Sequence, residues 1–564
     1  MFFARLINEF LPPSSALTKL TAAELSLVFH GVHHGYSYVS QSCAVDLLKK
    51  IFNDSYIGQN ITCGKTKARD LAVNVLAPFF TSKILQEVNQ SFFYSLSFDG
   101  SNKGNIKMFP FIINYFTIEY GIVRSVLQVV EQPRESAQDI VDTLRNVLKT
   151  HSLDIDKLTS IGADNTNTNY GRHHSVFSII QREVSNLCKG NCFCHVLSNS
   201  VKTSHRYLPV DVETYLSQLY NHFSSSSKRV AELKEYFEFV EQDYLRLLQH
   251  IKLRWLSLYN SIDRLLKVYE PLSSYFLGFD NDNDNEDEDI DTYTSCPPII
   301  RTFFSSTMSK CTLHFLHQVL FDIQTKNLEL QRYGTTIADL HGIISNLLKK
   351  LNDRLEQKYF GQSTRILLNS MSVEEQEKTI SSFTNYLSNI IKYISKYYEE
   401  HSHEKIIISL VLGIVEIDQI TFDQVERCVI SLKLELDHDK LFEELMNLQS
   451  IYKEVSSYHQ LWAYLISKTT TKCQEIMKLI SFIYSIPCSN AFTEGVFNHM
   501  KHAWTPSRNS MSVKTIAAEL QIRLNCKMKC NEFYSFVQNE PELLKCARRA
   551  EKYNYTKKPC SSSS

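Results

Sequence analysis

Alternation of polar and apolar side chains marks residues 94–98 as a β-strand. Aromatic or aliphatic residues alternate there with two serines, and a period of two residues is typical of a strand. The strand is expected to end at Asp99, which is followed at once by a turn rich in Gly, Ser and Asn. An acid in this position either lines an open site or only caps the turn, as many isolated Asp-Gly pairs do.

A mixed sheet is predicted over about residues 90–200, where strand-like and helix-like patterns follow one another closely. The elements expected after the first strand are strands at 108–117 and 122–130, an amphipathic helix around 137–148, a buried strand at 158–163, a helix around 176–187 and a strand-like segment at 192–197. Short connections make the first three strands antiparallel neighbours. Acids therefore follow the first strand, at Asp99, and the fourth, at Asp164.

Most of the remaining chain is predicted to be helical, because apolar residues recur at helical spacing before residue 85 and from about 205 to 480. With 564 residues, the chain is too long for one compact core. The predicted fold class is therefore α/β plus all-α, a mixed sheet interrupted by a large helical insertion.

Acids at the ends of two adjacent strands favour one kind of chemistry. The predicted strand order resembles that of a ribonuclease-H-like fold, in which the first and fourth strands are neighbours, so Asp99 and Asp164 would converge. Two converging carboxylates repel each other unless a divalent cation lies between them. This pattern predicts a hard-metal site rather than an acid–base dyad, and a third carboxylate would complete a two-metal clamp for phosphoryl transfer.

The segment after the insertion supplies a third acid. A helix is predicted to begin after a cap at Ser489 and to carry Phe492, Val496 and Met500 on one side. Glu494 faces a different side from this apolar stripe, alongside Phe497.

Five stretches, taken together, resemble the hAT superfamily of transposases and the proteins derived from them. They are Ser97-Phe-Asp99 with its turn, Gly162-Ala-Asp164-Asn-Thr-Asn, Cys192-Phe-Cys-His195, Leu253-Arg-Trp255-Leu-Ser, and the segment from Pro487 through Glu494 to Arg523. The resemblance runs from about residue 60 to 527. It is carried by the order of the pieces and by the helical insertion between the second Asp and the Glu.

The resemblance implies a ribonuclease-H-like core with an Asp-Asp-Glu site that cleaves and joins DNA strands. Asp99, Asp164 and Glu494 would be the catalytic and metal-binding acids, and the cofactors would be two Mg²⁺ or Mn²⁺ ions. Arg254 and Trp255 would contact nucleic acid, with the indole stacked on an unstacked base, although helix core is an equal alternative for Trp255. The implied partners are DNA, namely transposon ends, and a second copy of the chain, and the implied location is the nucleus.

The resemblance also gives an expected domain organisation. It comprises an N-terminal helical region at 1–85, the first part of a ribonuclease-H-like core at 86–205, a helical insertion at 206–480 with a disordered acidic loop near 280–291, the second part of the core with a hAT-type dimerisation region at 481–530, and a C-terminal tail at 531–564. Two departures from the family stand out. Gly495 follows the glutamate where the family often has Arg, and residues 1–85 lack the Cys/His pattern of a BED-type zinc finger.

Histidines and cysteines raise the question of zinc at two places. Cys192 and His195 have a spacing that could supply two of four ligands, but no second pair lies nearby, which favours structural packing close to the active site. Near the N-terminus, the histidines at 30, 33 and 34 and the cysteines at 43 and 63 match neither a finger nor a ribbon. Helix packing with surface histidines is the favoured interpretation there.

Composition restricts the partners further. The formal net charge is -1, so DNA contacts would have to come from local patches. No signal peptide is visible, the 14 cysteines are too few for a disulfide scaffold, and reduced thiols in an intracellular protein are expected. The longest apolar run, 406–415, is too short to span a bilayer, so no membrane partner is expected.

Three functions remain open from the sequence. The first is a metal-dependent DNA transposase that retains its three acids. The second is a catalytically silent, transposase-derived nuclear protein that acts through dimerisation and through protein or DNA binding. The third is a ribonuclease-H-like nuclease for RNA–DNA hybrids, against which the large insertion and the C-terminal segment argue.

Overall fold

The computed structural model describes residues 15–132, 134–250, 257–277, 297–401, 417–452, 461–469, 473–508 and 510–553. The chain divides into two compact units. Unit 1 is discontinuous and consists of Met1–Asn191 with Lys433–Ser564, and unit 2 is Cys192–Leu432. Two predicted features, the acidic run at 280–289 and the apolar run at 406–415, lie outside the described residues.

Unit 1 contains a six-stranded mixed sheet. Its strands are β1 (Tyr94–Phe98), β2 (Ser101–Lys103), β3 (Ile106–Thr117), β4 (Gly121–Glu131), β5 (Leu158–Ala163) and β6 (Cys188–Asn191). Their order is β2-β3-β1-β5-β6, and β4 pairs with β3. The mixed α/β class is thus confirmed, and β2 is an additional short strand within the predicted turn.

The direction of the strands follows the predicted scheme. β1 is antiparallel to β3, and β3 is antiparallel to β4, so the three neighbouring antiparallel strands are confirmed. β1 is parallel to β5, and β5 is parallel to β6. The first and fourth predicted strands are therefore adjacent, with their carboxyl ends at the same edge of the sheet.

Helices cover both faces of this sheet. The helices of unit 1 are α1 (Ser15–His34), α2 (Tyr38–Ile51), α3 (Tyr56–Asn60), α4 (Lys65–Leu71), α5 (Ala77–Gln90), α6 (Ala137–Thr150), α7 (Asn167–Tyr170), α8 (Val176–Ile180) and, after unit 2, α20 (His438–Tyr452), α21 (Leu461–Lys468), α22 (Gln474–Ser485), α23 (Ala491–Ala503), α24 (Val513–Asn525), α25 (Cys530–Gln538) and α26 (Pro541–Arg548). A π-helical turn, Ala72–Leu76, joins α4 to α5. Helices α5, α6 and α8 share one apolar cluster with β1, β3 and β5, while α23 and α24 share another with β3 and β4.

Unit 2 is helical among its described residues. Its helices are α9 (Phe193–Ser204), α10 (Val212–Ser224), α11 (Ser227–Phe239), α12 (Ser257–Lys267), α13 (Tyr269–Leu277), α14 (Pro298–Ser305), α15 (Thr307–Leu330), α16 (Ile337–Glu356), α17 (Gln362–Asn369), α18 (Val373–His401) and α19 (Phe422–Leu432).

The strand predicted at 192–197 is wrong, because this segment is the start of helix α9. The strand lies earlier, at Cys188–Asn191, where only one of four side chains is hydrophobic. In α9 the buried positions include Phe193, Val196, Leu197 and Val201, which is helical spacing. A six-residue apolar window does not distinguish that spacing from a buried strand.

The N-terminal and C-terminal helices of unit 1 share a third apolar cluster. Side chains from α1, α4 and the π-turn pack there with side chains from α24, α25 and α26. The rings of Phe29 and Phe533 stack at its centre, 4.1 Å apart. The N-terminal helices are therefore part of the same compact unit as the sheet. Among the described residues, no helix is both long and apolar enough to cross a membrane.

Candidate functional site

The register of the two central parallel strands relates the first two predicted acids. Ser97 of β1 pairs with Gly162 of β5. Asp99 and Asp164 each follow their paired residue by two positions, so they leave the sheet side by side at its carboxyl edge. Both side chains are half-buried. The pairing thus brings together two acids that are 65 positions apart in the sequence.

Asp99 begins the turn between β1 and β2. The backbone N–H of Gly100 donates to Asp99 Oδ1 over 2.8 Å, so one carboxylate oxygen does cap the turn. The turn is close-packed, since a Cβ at Gly100 would lie 2.8 Å from the Phe109 ring. Capping and site lining are therefore compatible, because the cap engages one oxygen and fixes the direction of the carboxylate.

Asp164 is oriented by the short helix that follows β5. The Asn169 side-chain amide donates to Asp164 Oδ1 at 2.5 Å, and the Thr166 hydroxyl donates to the same oxygen at 3.2 Å. Tyr170 fixes the strand end, since its hydroxyl donates to the Ile161 carbonyl and accepts from the backbone N–H of Ala163. The carboxylate is thus held by Thr166 and Asn169, and Tyr170 holds the backbone of the strand that precedes it.

The third acid comes from the far end of the chain through a close contact with the sheet. Pro487 lies against the two glycines at the centre of β5 and β6, because a Cβ on either Gly162 or Gly190 would lie 2.8 Å from Pro487 Cγ. Three residues later, the side-chain amide of Asn490 donates to the carbonyl oxygen of Phe98 at 3.0 Å. The chain that leads to Glu494 is thereby fixed to the residue that precedes Asp99.

Glu494 lies in the first turn of α23. Its backbone N–H donates to the Asn490 carbonyl at 2.9 Å, so Asn490 holds both the strand end and the helix start. The N-cap is Asn490, one residue after the predicted Ser489. Glu494 is half-buried, whereas Val496 and Met500 are buried, as the predicted stripe requires.

A row of small polar residues docks the preceding helix, α22, on the central strands. The hydroxyl of Ser95 donates to the Ser485 carbonyl at 2.6 Å, and the hydroxyls of Thr159 and Ser485 are 2.6 Å apart. Ser91 and Ser481 form a similar pair at 3.1 Å. Small side chains let the helix approach the strands closely, and paired hydroxyls offset the cost of burying them.

The donor set at this edge suits a hard divalent cation. It consists of carboxylates and amides, and the buried amide oxygens Asn169 Oδ1 and Asn191 Oδ1 accept no hydrogen bond from the described residues. Oxygen donors of this kind are preferred by Mg²⁺ and Mn²⁺. Among the described residues, the one His/Cys/acid group with ligand atoms all within 4.8 Å of one another lies elsewhere. The carboxylate oxygens of Asp99, Asp164 and Glu494 are thus not all within 4.8 Å of one another.

The other predicted site residues are placed as follows. Cys192 is the fully buried N-cap residue of α9, and His195 lies in the first turn of that helix. Neither belongs to a compact His/Cys/acid group within the part of the chain that the structure describes. Arg254 and Trp255 lie outside the described residues. A Cβ at Gly495 would contact nothing within 4 Å.

Residues that position the acids were missed in the sequence. Asn490 and Asn169 are the main examples, since each orients a candidate acid or the helix that carries it. An Asn before a helix and an Asn five residues after an acid are weak signals by themselves. The two glycines under Pro487 gave a stronger signal, because glycine inside a strand often marks a close approach of another segment.

A short basic loop was also missed. Arg172, His173 and His174 are consecutive and exposed, and they follow helix α7 within ten residues of Asp164. Arg172 carries a positive charge eight positions after Asp164, in a chain whose formal net charge is -1.

No known family matches the chain when it is scanned against protein-family models, and no curated protein matches it either.

Proposed function

We propose that this chain is a hAT-like transposase, or a protein derived from one, whose ribonuclease-H-like core cleaves and joins DNA strands with divalent metal ions. Asp99, Asp164 and Glu494 would hold the ions. The proposal extends to transposon ends as the DNA substrate, a second copy of the chain as a partner, and the nucleus as the location.

The observation that carries the proposal is the register of β1 and β5, combined with the hydrogen bond from Asn490 to Phe98. A carboxylate follows each of two adjacent parallel strands at the same register position. A helix that begins within four residues of the third acid is tied to the end of one of those strands. Two acids at a sheet edge and one on a later helix would supply carboxylate ligands for the two cations of a phosphoryl-transfer site.

The protein's own groups have separable roles in this proposal. Asp99 and Asp164 provide oxygen ligands whose directions are set by Gly100 N–H and by the Asn169 amide. Glu494 provides the third carboxylate from α23. Activation of a water or 3′-hydroxyl and stabilisation of the departing oxygen are the chemistry that bound Mg²⁺ or Mn²⁺ ions supply.

Contact with DNA is proposed at the basic loop, Arg172 to His174. These side chains are exposed and lie close in sequence to Asp164. Each Lys or Arg contact with a phosphate adds affinity that falls with salt, independent of base sequence. Replacement of Arg172 by Ala should weaken binding to all duplexes alike and reduce the salt slope by about 1.

Self-association is proposed through α20 rather than through the helices that follow it. Helices α23 and α24 contribute to buried clusters with the sheet, and the side-chain amide of Asn525 in α24 bonds to the backbone of Val126 in β4. Removal of residues 481–564 would therefore disrupt unit 1 itself. On α20, Phe442 and Met446 are exposed one helical turn apart, and exposed apolar side chains at this spacing suit a helix partner.

Strand cleavage is the test of the proposed enzyme. The purified full chain is incubated with Mn²⁺ and a plasmid that carries the coding region with its flanking DNA, in which the proposal expects terminal inverted repeats, and nicks are mapped on sequencing gels. The wild type should nick at the repeat ends, and Asp99→Asn, Asp164→Asn and Glu494→Gln should each reduce the rate by at least about a hundredfold. Asp142→Asn, an exposed acid on α6, is the matched control and should cleave normally.

Two results would contradict the proposed cleavage activity or its site. Unchanged cleavage by Asp99→Asn would remove that residue from the site. A wild type that binds DNA or self-associates but never nicks would favour the catalytically silent alternative, and Phe442→Lys with Met446→Lys would then test whether α20 forms the interface.

A further inference from the structure

A second group of possible metal ligands lies far from the strand edge, where α1 meets α25. His30 and His34 are four residues apart on α1, so both imidazoles lie on one face of the helix. Cys530, the first residue of α25, lies opposite them. Each of the three offers one ligand atom, and these atoms are all within 4.8 Å of one another.

The distances within this group match those between ligands on one zinc ion. Cys530 Sγ is 3.4 Å from His30 Nδ1 and 3.9 Å from His34 Nε2. With Zn–N bonds of about 2.0–2.1 Å and a Zn–S bond of about 2.3 Å at tetrahedral angles, nitrogen and sulfur ligands lie about 3.6 Å apart. The two observed distances fall on either side of this value, so the group needs little rearrangement to bind an ion.

The surrounding fold keeps the three residues together without a metal. Phe29 of α1 stacks on Phe533 of α25, with ring centroids 4.1 Å apart. Phe29 precedes His30 by one residue, and Phe533 follows Cys530 by three. Apolar packing thus fixes the relative position of the two helices, and a fixed ligand set costs less conformational entropy on binding than a flexible one.

Burial changes the pKa of two of these three side chains. Burial, with the nearby His34 as a second cause, lowers the pKa of His30, which keeps its imidazole in the neutral form that binds metal. Burial raises the pKa of Cys530, so formation of the thiolate requires a nearby cation. The neutral imidazole and the thiolate are the forms in which these side chains bind metal.

We propose that His30, His34 and Cys530 bind one zinc ion, with water as the fourth ligand. Nitrogen and sulfur donors favour zinc, whereas the oxygen donors at the strand edge favour magnesium or manganese. The ion links an N-terminal helix to a C-terminal helix across 500 residues of sequence and stabilises the apolar cluster that they share. The sequence raises the question of zinc at the two histidines but does not point to Cys530, because this residue is remote from both and spacing rules apply only to neighbouring ligands.

The test measures zinc in the untagged full chain. After dialysis against micromolar Zn²⁺, mass spectrometry of the metal content should give one zinc per chain for the wild type. His34→Ala and Cys530→Ser should bind at least about tenfold more weakly in competition with a chromogenic chelator. Cys546→Ser, which replaces an exposed thiol on α26, is the matched control and should keep the wild-type affinity.

Cobalt substitution identifies the sulfur ligand directly. Co²⁺ added to the wild type should give a thiolate-to-metal charge-transfer band, which Cys530→Ser should lack and Cys546→Ser should retain. Circular dichroism checks the fold of each variant, and His34→Gln provides a second test at an exposed position. A wild type without stoichiometric zinc, or a Cys530→Ser variant with unchanged affinity and spectrum, would overturn the proposal.

Discussion

The side-chain amide of Asn490 donates a 3.0 Å hydrogen bond to the carbonyl oxygen of Phe98, a residue 392 positions earlier. Phe98 is the last residue of β1 and precedes Asp99, while Asn490 is the N-cap of the helix that carries Glu494. One buried contact thus connects the strand of one candidate acid with the helix of another. The relative position of those acids depends on it.

Replacement of Asn490 by Ala should therefore impair cleavage more than stability. Loss of one buried hydrogen bond costs about 1–2 kcal/mol of the free energy of unfolding, whereas a displacement of about 1 Å at a reacting centre costs about a hundredfold in rate. Urea denaturation and the single-turnover cleavage rate measure the two effects. Loss of stability with an unchanged rate would show that the cap does not position Glu494.

Replacement of two glycines by alanine should change the free energy of unfolding in opposite directions. A Cβ at Gly162 would lie 2.3 Å from Ser97 Oγ and 2.8 Å from Pro487 Cγ, so Gly162→Ala should lower the free energy of unfolding by about 1–3 kcal/mol. Gly495 lies inside α23, where a Cβ would contact nothing within 4 Å. Gly495→Ala should raise stability by about 0.5–1 kcal/mol. Equal effects in denaturant titrations would contradict the close approach of Pro487.

Much of the sheet was predictable because its signals are local. The alternation at 94–98 and the unbroken apolar run at 158–163 both correspond to strands that the structure contains. The strand predicted at 192–197 was wrong, because β6 has a sequence, Cys-Lys-Gly-Asn, with little strand preference. Its Gly190 accommodates Pro487, so tertiary packing rather than local preference determines that strand.

A buried ion pair should contribute strongly to unit 1. Arg508 Nη2 and Glu519 Oε1 are 2.6 Å apart, with side-chain exposures of 6% and 2%. Glu519→Ala leaves a buried guanidinium without its carboxylate and should cost about 3–5 kcal/mol. Arg145→Ala, which removes exposed pairs with Asp142 and Glu183, should cost less than about 1 kcal/mol.

The double variant Arg508→Met with Glu519→Leu tests whether the ion pair itself, or only the burial of two side chains at these positions, stabilises unit 1. Apolar replacement of both partners should recover most of the stability that Glu519→Ala loses. Chemical denaturation of the three variants gives the comparison, and a double variant as unstable as the single one would show that other contacts of Arg508 dominate.

The stability of unit 2 should depend on pH because of the buried side chain of His222. Burial, with Arg229 as a second cause, lowers the pKa of this histidine from 6.5 to about 4, and its ring lies among Phe223, Tyr275 and Phe276. The unfolded chain takes up a proton below about pH 6.5, whereas the folded chain does so only near pH 4. Stability should therefore fall as the pH falls through this window.

The size of that effect follows from the shift. Between pH 7.5 and 5.0 the wild type should lose about 2 kcal/mol more than His222→Phe, whose ring cannot be protonated. Urea titrations at the two pH values measure the difference. Parallel losses in both proteins would show that His222 is accessible to protons in the folded state.

The acids of the candidate site were predictable from the sequence, but the residues that orient them were not. Two of the acids directly follow strands and the third lies in the first turn of an amphipathic helix, so their positions carry a sequence signal. The groups that orient them, such as Asn169 and Asn490, act over distances that no short pattern records. The same applies to Cys530, whose relation to His30 arises from packing of Phe29 against Phe533.

Binding of Mn²⁺ tests the central claim, that Asp99, Asp164 and Glu494 form one metal site. The full chain with Zn²⁺ added to saturate other sites is titrated with Mn²⁺, and free manganese is measured by electron paramagnetic resonance. The wild type should bind about two Mn²⁺ ions, Asp99→Asn and Asp164→Asn should each weaken binding at least about tenfold, and Asp142→Asn should match the wild type. Equal binding by the wild type, Asp99→Asn and Asp164→Asn would contradict the account.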